Sequence, residues 1–111
     1  GRGTERRAFT DRQRPVLVLA LALVHHLALA ANVPLEQVVD WFADIGGTLI
    51  VEFVEPHDPM ADRLLGNKQA GLFPDYRIEE FERILGDRYQ ITSHLRLPSG
   101  SRTLYVGEPR R

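Results

Sequence analysis

The sequence contains no cysteine, which excludes a disulfide framework and every site built on thiolates. Its formal net charge of −1 provides no excess of positive charge to attract nucleic acid or an anionic membrane. The longest apolar stretch covers only residues 16–31 and contains two histidines, whereas a helix that spans a bilayer needs about 20 apolar residues. We therefore expect neither a nucleic-acid partner nor a membrane partner, and we expect a cytoplasmic location.

The start of the chain is also missing two common features. It does not begin with methionine, and no glycine-rich turn of the phosphate-binding kind follows its first apolar segment. Both observations favour a piece of a longer protein, since 111 residues correspond to one domain or part of one. We expect a polar linker over residues 1–15 and one structural unit over residues 16–111.

The apolar stretch itself predicts the fold class. A run such as VLVLALALV suits a strand buried on both faces, as in a parallel sheet flanked by helices, although its alanine and leucine content would also permit a helix. Asn32 and Pro34 are typical of a helix start, and Gly46-Gly47 is typical of a helix end. The predicted elements are a strand over 16–24, a helix up to 45, a strand over 48–54, a short helix over 60–65, a helix over 77–85 closed by Gly86, and strands over 89–97 and 102–106.

The order β-α-β-α-β-β predicts an α/β fold. Helices between strands imply parallel, right-handed crossovers. The turn at residues 98–101 implies that the last two strands form an antiparallel hairpin. We therefore expect a mixed sheet, and we expect Trp41, Phe42 and Met60 to belong to its core.

Two histidines follow the first predicted strand. Open α/β folds bind ligands at the carboxyl ends of their strands, and imidazole titrates near neutral pH. His25 and His26 are therefore candidate catalytic residues. Because neighbouring residues on a strand point to opposite faces, at most one of them should face a cleft if the strand continues through them. The alternative is that the pair begins a loop and bonds to the backbone.

Three further residues are candidates for substrate binding. Glu52 interrupts an apolar strand, and a buried carboxylate needs a partner, so it faces a cleft or pairs with Arg102 or His94. Asp75 and Tyr76 could shape a pocket, or serve as a helix cap and a packed ring. The cluster Glu55, His57 and Asp58 has no metal-motif spacing, so we expect no metal site.

Most of the chain resembles strands four to seven of class I S-adenosylmethionine (SAM) dependent methyltransferases. The resemblance is to one bacterial group and covers almost all 111 residues. The segments that carry it are GRGTERRAF for the linker, VLVLALALVHHLALAANVPLEQV for the motif after the core, LIVEFVEPHDPM for the next strand and loop, LFPDYRIEEFERIL for the next helix, and SRTLYVGEPRR for the closing strand.

The resemblance implies a partial Rossmann-like sheet that supplies the acceptor side of an active site. An aspartate usually begins the first of these strands in the family, and Val16 stands there in this sequence. The glycine-rich loop and the ribose-binding acidic residue of the family have no counterpart, so no residue of this chain is assigned to cofactor binding. The resemblance therefore implies that SAM binds only to the longer protein, and that this segment alone is inactive and binds none.

The expected partners follow from the absent half. The absent N-terminal half of the same protein would pair with the strand over 16–24, and without it that apolar edge invites a homodimer. An alternative function is a small, non-catalytic α/β interaction or dimerisation module. A phosphate- or nucleotide-binding domain of another family is a third possibility, but its glycine-rich loop is absent.

Overall fold

A four-stranded mixed sheet forms the centre of the fold. The computed structural model describes residues 16–66 and 74–110. The strand order is β1-β2-β4-β3; β1 runs parallel to β2, and β4 runs antiparallel to both of its neighbours, so β1, β2 and β3 point the same way. The α/β class and the terminal hairpin are thereby confirmed. The strands are β1 Leu17–Ala20, β2 Thr48–Val54, β3 Tyr89–Arg96 and β4 Arg102–Pro109.

Three α-helices and one π-helical turn accompany the sheet. The π turn, His26–Ala30, lies between β1 and the first helix. The first helix buries four apolar residues at helical spacing and ends at Gly46, whose φ is +85°. Within the described residues no helix is both long and apolar enough to cross a bilayer. The helices are α1 Leu35–Ile45, α2 Pro59–Leu65 and α3 Ile78–Arg88.

One face of the sheet carries the core. Phe53 of β2 stacks on Phe81 of α3 with ring centroids 4.8 Å apart, and Phe81 meets Tyr105 of β4 at 5.6 Å. Helices α1 and α3 contact each other, which places both on this face. The two crossovers, β1-α1-β2 and β2-α3-β3, therefore bury the same side of the sheet.

The opposite face exposes apolar side chains at β1 and β3 within the described residues, while Glu52 of β2 is buried on it. Leu17 and Leu19 of β1 are 59% and 60% exposed, and Leu95 of β3 is 60% exposed. In the strand register these residues share a face with the half-buried Ile50 and Leu104. Neither α1 nor α3 covers this side.

Several element boundaries differ from the sequence expectation. The first strand ends at Ala20 instead of residue 24, because the following leucines and alanines turn into a helical segment. Helix α3 continues through Gly86 to Arg88, where an added Cβ at Gly86 would meet nothing within 4 Å, and β3 begins at the next residue. Strand β4 pairs with β2 up to Gly107 and extends to Pro109 because Glu108 and Pro109 still pair with β3. The predicted linker over residues 1–15 lies outside the described residues.

Two of the three residues expected in the core lie at the surface. Phe42 is buried, as predicted. Trp41 is 42% exposed and Met60 is 37% exposed, so the core prediction is wrong for both. Trp41 immediately precedes Phe42 on the helix and is rotated off the buried stripe, and Met60 stands in the first turn of a short helix whose one buried residue is Ala61.

Candidate functional site

Candidate residues gather where β1 and β2 end and β4 begins. After β1 the chain turns through Ala22, which has a left-handed φ of +54°. A non-glycine residue rarely adopts this conformation, and such residues persist only where their surroundings hold them. The carboxyl ends of β1 and β2 form one edge of the sheet, because these two strands are parallel.

The two histidines lie on a helical turn and not on a strand. His25 has helical backbone angles and is the N-cap of the π turn, so the expectation based on alternating strand faces does not apply. His25 is 1% exposed whereas His26 is exposed, and their ring centroids are 4.4 Å apart. His26 is therefore the imidazole that a ligand can reach from solvent, and His25 lies behind it. Single π-helical turns are frequent at functional sites.

Burial keeps His25 neutral. Loss of hydration lowers the pKa of His25 below its ordinary value of 6.5, and the charges of His26 and Arg102 lower it further. The carboxylates of Glu52 and Asp58 act in the opposite direction. Within the described residues the Nδ1 atom of His25 has no hydrogen-bond partner. A neutral imidazole with a vacant nitrogen is able to accept a proton.

Both carboxylate oxygens of Glu52 have partners, so this side chain does not face an open cleft. Its Oε1 accepts a hydrogen bond from the backbone nitrogen of Ala22 at 2.7 Å, and its Oε2 lies 3.7 Å from Nη1 of Arg102. Of the two partners expected for this carboxylate, Arg102 is confirmed. His94 lies instead beside Tyr105, with ring centroids 6.4 Å apart.

Arg102 extends the network to the start of α2. Its Nε and Nη2 donate to the two carboxylate oxygens of Asp58 at 3.0 and 3.3 Å. Asp58 also accepts from the hydroxyl of Ser101, and its Oδ1 caps α2 by accepting from the Met60 nitrogen at 2.9 Å. These donors lower the pKa of Asp58, with the Arg102 hydrogen bond as the largest cause. One guanidinium thus joins the ends of β2, β4 and α2.

A cavity of about 380 Å³ lies against the π turn. Its walls come from Ala28 of the π turn and from two short segments, residues 32–35 and 74–76. Tyr76 is buried, and its hydroxyl donates to the carbonyl of Val54 while its ring packs 4.9 Å from that of Phe53. Burial raises the pKa of the Tyr76 hydroxyl, which therefore stays a donor. The structure thus shows both a packed ring and a cavity wall at Tyr76.

Asp75 is exposed at this cavity and caps no helix. The N-cap of α3 is Arg77, and the backbone carbonyl of Asp75 accepts from the Arg77 nitrogen at 2.9 Å. Asp75 and Tyr76 therefore share one cavity with the π turn that carries His26. Glu52 is not among the residues that line it.

The sequence did not predict that Asp58, Arg102 and Ser101 contact one another. The sequence pattern placed Asp58 only in a cluster with Glu55 and His57, and its partners Ser101 and Arg102 lie more than 40 residues away in the chain. Their proximity depends on the pairing of Val54 with Arg102 between β2 and β4. Nothing local in the sequence signals that pairing.

The glycine pair of the chain does not lie near the turn that carries the histidines. Gly46 and Gly47, the chain's one consecutive glycine pair, lie before β2, at the opposite edge of the sheet from the histidines. An added Cβ at Gly47 would lie 2.1 Å from the backbone oxygen of Val16, so this glycine serves strand packing. In residues 16–66 and 74–110, no group of three or more His, Asp or Glu side chains is placed to hold a metal ion.

Comparison with known proteins finds a similar sequence in a longer protein. The chain is 38% identical over 104 residues to the nodulation protein NoeA of Rhizobium meliloti (strain 1021). The match covers 94% of this chain and 22% of NoeA, so the chain spans about a fifth of the length of that relative. No protein-family model matches, and no solved structure matches.

Proposed function

We propose that this chain is the C-terminal half of a SAM-dependent methyltransferase domain, and that it supplies the acceptor side of the active site. The observation that carries the proposal is the placement of the π turn and the cavity at the carboxyl edge of parallel strands, in a sheet closed by an antiparallel hairpin. This is the strand arrangement that the sequence resemblance implies.

The residues of this chain have distinct roles in the proposal. The cavity holds the methyl acceptor, and holding the acceptor in line with the methyl donor is the main requirement of such a transfer. His26 is exposed on the turn whose Ala28 lines the cavity but is not itself a lining residue, and we assign to it the uptake of a proton from the acceptor. The buried residues His25 and Glu52 hold that turn in position. Bound SAM would supply the methyl group, and the cofactor site lies in another segment of the longer protein.

NoeA provides a long protein in which the proposal is testable. Its matched segment is 38% identical to this chain and makes up 22% of its length. We propose that the remainder of such a protein contributes the cofactor side. The proposed chemistry does not depend on the nodulation role that the name of NoeA states.

Ultraviolet cross-linking of methyl-tritiated SAM tests this division of roles. We expect label in the long protein, with part of it in the peptide that contains the π turn, and protection by S-adenosylhomocysteine. The 111-residue chain should remain unlabelled under the same conditions. The absence of any label that S-adenosylhomocysteine suppresses would remove the methyltransferase proposal.

A non-catalytic dimerisation module is the second candidate, and the two edges of the sheet favour it. The β3 edge carries polar and charged residues, Gln90, His94 and Arg96 among them, which discourage pairing with another chain. The β1 edge, LVLA, has no polar side chain. An apolar, uncharged edge invites strand addition, so a second copy could pair there. Light scattering on the 111-residue chain separates a monomer from a dimer.

A further inference from the structure

The cavity beside the π turn has features that select a class of ligand. Its volume of about 380 Å³ lies within the range of small-molecule sites, about 300–1,000 Å³. Most of its lining is apolar, from Ala28, the ring of Tyr76 and the side chains of Val33, Pro34, Leu35 and Pro74. Among the described residues, the polar side chains of Asn32 and Asp75 also line it. Such a lining suits a compact apolar body with one polar end.

The charges around the cavity indicate which polar group a bound ligand would carry. The nearby cation Arg77 has partners other than Asp75. Its Nε donates to the Pro74 carbonyl at 3.3 Å, and its Nη1 lies 3.8 Å from Glu79. Within the described part of the chain, Asp75 forms no salt bridge. Its carboxylate therefore remains available to accept hydrogen bonds from a ligand.

The start of α1 at the same cavity is a competing influence. Residues 34 and 35 are the N-cap and first residue of this helix, and its N-terminus carries about half a positive charge, which would attract an anion. Glu36 in the first turn of α1 brings a full negative charge to the same end, and Asp75 brings a second. Helix α3 begins just after residues 74–76 and adds about another half positive charge, and the charges of Arg77 and Glu79 cancel. Within the described residues the two carboxylates outweigh the two half charges, so the balance at the cavity is negative.

We propose that this cavity binds a small apolar molecule that carries a protonated amine, with the amine donating to Asp75. The proposal rests on the proposed function only in naming this ligand as the methyl acceptor. The binding itself requires no cofactor. Asn32 offers a further carbonyl oxygen to the same amine.

Three probes of one shape test the polarity of the cavity: benzylamine, benzyl alcohol and benzoate. Titration of each into the 15N-labelled 111-residue chain, followed by amide NMR shifts, gives the affinity and the location together. We expect benzylamine to bind most tightly and to shift the amides of the non-proline residues that line the cavity, Asn32, Val33, Leu35, Asp75 and Tyr76. The variant Asp75→Asn should weaken benzylamine binding by about three- to ten-fold, as expected for loss of a charge-assisted hydrogen bond, and leave benzyl alcohol unchanged.

The matched control is Asp44→Asn, which removes an exposed carboxylate of α1 that does not line the cavity. It should leave all three affinities unchanged. Benzoate binding as tightly as benzylamine, equal effects of the two variants, shifts confined to other surfaces, or no binding at millimolar concentrations would each overturn the inference. Amine binding here together with failure of the long protein to bind S-adenosylhomocysteine would retain the cavity assignment and remove the methyltransferase proposal.

Discussion

Glu52 holds the backbone of Ala22: its Oε1 lies 2.7 Å from the Ala22 nitrogen, at a residue whose φ of +54° is unusual for alanine. This contact fixes the point at which the chain leaves β1 and enters the turn that carries the histidines. The other carboxylate oxygen faces Arg102, so the contact is itself anchored by a charge.

Removal of the Glu52 side chain should therefore loosen the turn. Glu52→Ala leaves a part-buried amide without its acceptor, and we expect a loss of about 1–3 kcal/mol in the free energy of unfolding, measured by urea denaturation. Glu52→Gln keeps an acceptor oxygen and should lose less. Faster hydrogen exchange of the Ala22 amide in the alanine variant would locate the effect. Equal losses for both variants would show that the hydrogen bond to Ala22 is not what the side chain contributes.

Asp58 should make stability fall in acid. Its pKa is lowered in the folded state by Arg102 and Ser101, below an ordinary value of 3.8. A carboxylate of this kind stabilises the fold above about pH 4, and its contribution is lost as the pH falls through the lower folded pKa. The matched variant is Asp58→Asn, which retains the ability to cap α2 but carries no charge. We expect denaturation midpoints of this variant to depend less on pH below pH 4; an unchanged acid dependence would contradict the assignment.

His25 should titrate below 6.5. Its folded pKa is lowered by burial, with His26 and Arg102 adding to the effect and Glu52 and Asp58 opposing it. Because the unfolded chain binds this proton more readily, stability should increase as the pH rises through the interval just below 6.5 and level off above it. A proton NMR titration of the imidazole measures the midpoint directly, with the chain in guanidinium as its own reference. A midpoint at or above that reference would contradict the buried, neutral state.

The glycine pair before β2 offers a matched test of backbone packing. Gly46 and Gly47 have φ values of +85° and +86°, so alanine is strained at either position. An added Cβ meets nothing within 4 Å at Gly46 but would lie 2.1 Å from the Val16 oxygen at Gly47. We expect Gly46→Ala to cost about 1–3 kcal/mol from backbone strain and Gly47→Ala to cost clearly more, by thermal or urea unfolding. Equal costs would mean that β1 does not approach Gly47 as described.

Self-association should depend on β1. If the apolar edge pairs with a second copy, Leu17→Lys combined with Leu19→Lys should convert the chain to a monomer by light scattering, because edge lysines oppose strand pairing. Ile45→Lys is the control, since Ile45 is as exposed as Leu19 but lies at the end of α1. A monomeric unsubstituted chain, or equal effects of both sets of changes, would remove the dimerisation candidate.

The sequence was most informative where local signals were strong. Strand β2 was predicted with its observed bounds because TLIVEFV is rich in β-branched and aromatic residues, and the helix end before Gly46 was predicted from the glycine pair. The β1 segment was harder, since leucine and alanine suit both a strand and a helix. The leucines and alanines of this segment form both a strand and a helical turn. His25, which was expected at the end of the strand, lies in the helical turn.

The site was predictable only in part, because its key contacts join distant residues. The rule that a buried carboxylate needs a partner left Arg102 and His94 as candidates for Glu52, and the structure shows Arg102 there. The left-handed backbone at Ala22 had no sequence signal. Asn32, at φ +60°, is a residue type that tolerates this conformation, yet its position in a cavity wall depends on how the π turn and residues 74–76 meet.

The measurement that tests the central proposal most directly is calorimetric titration of S-adenosylhomocysteine. It should be made with the longest native polypeptide that contains this segment, and with the 111-residue chain as the control. We predict binding by the long protein with one site per chain and none by the 111-residue chain. No binding by either would contradict the assignment to the acceptor side of a methyltransferase and leave the α/β interaction module as the better account.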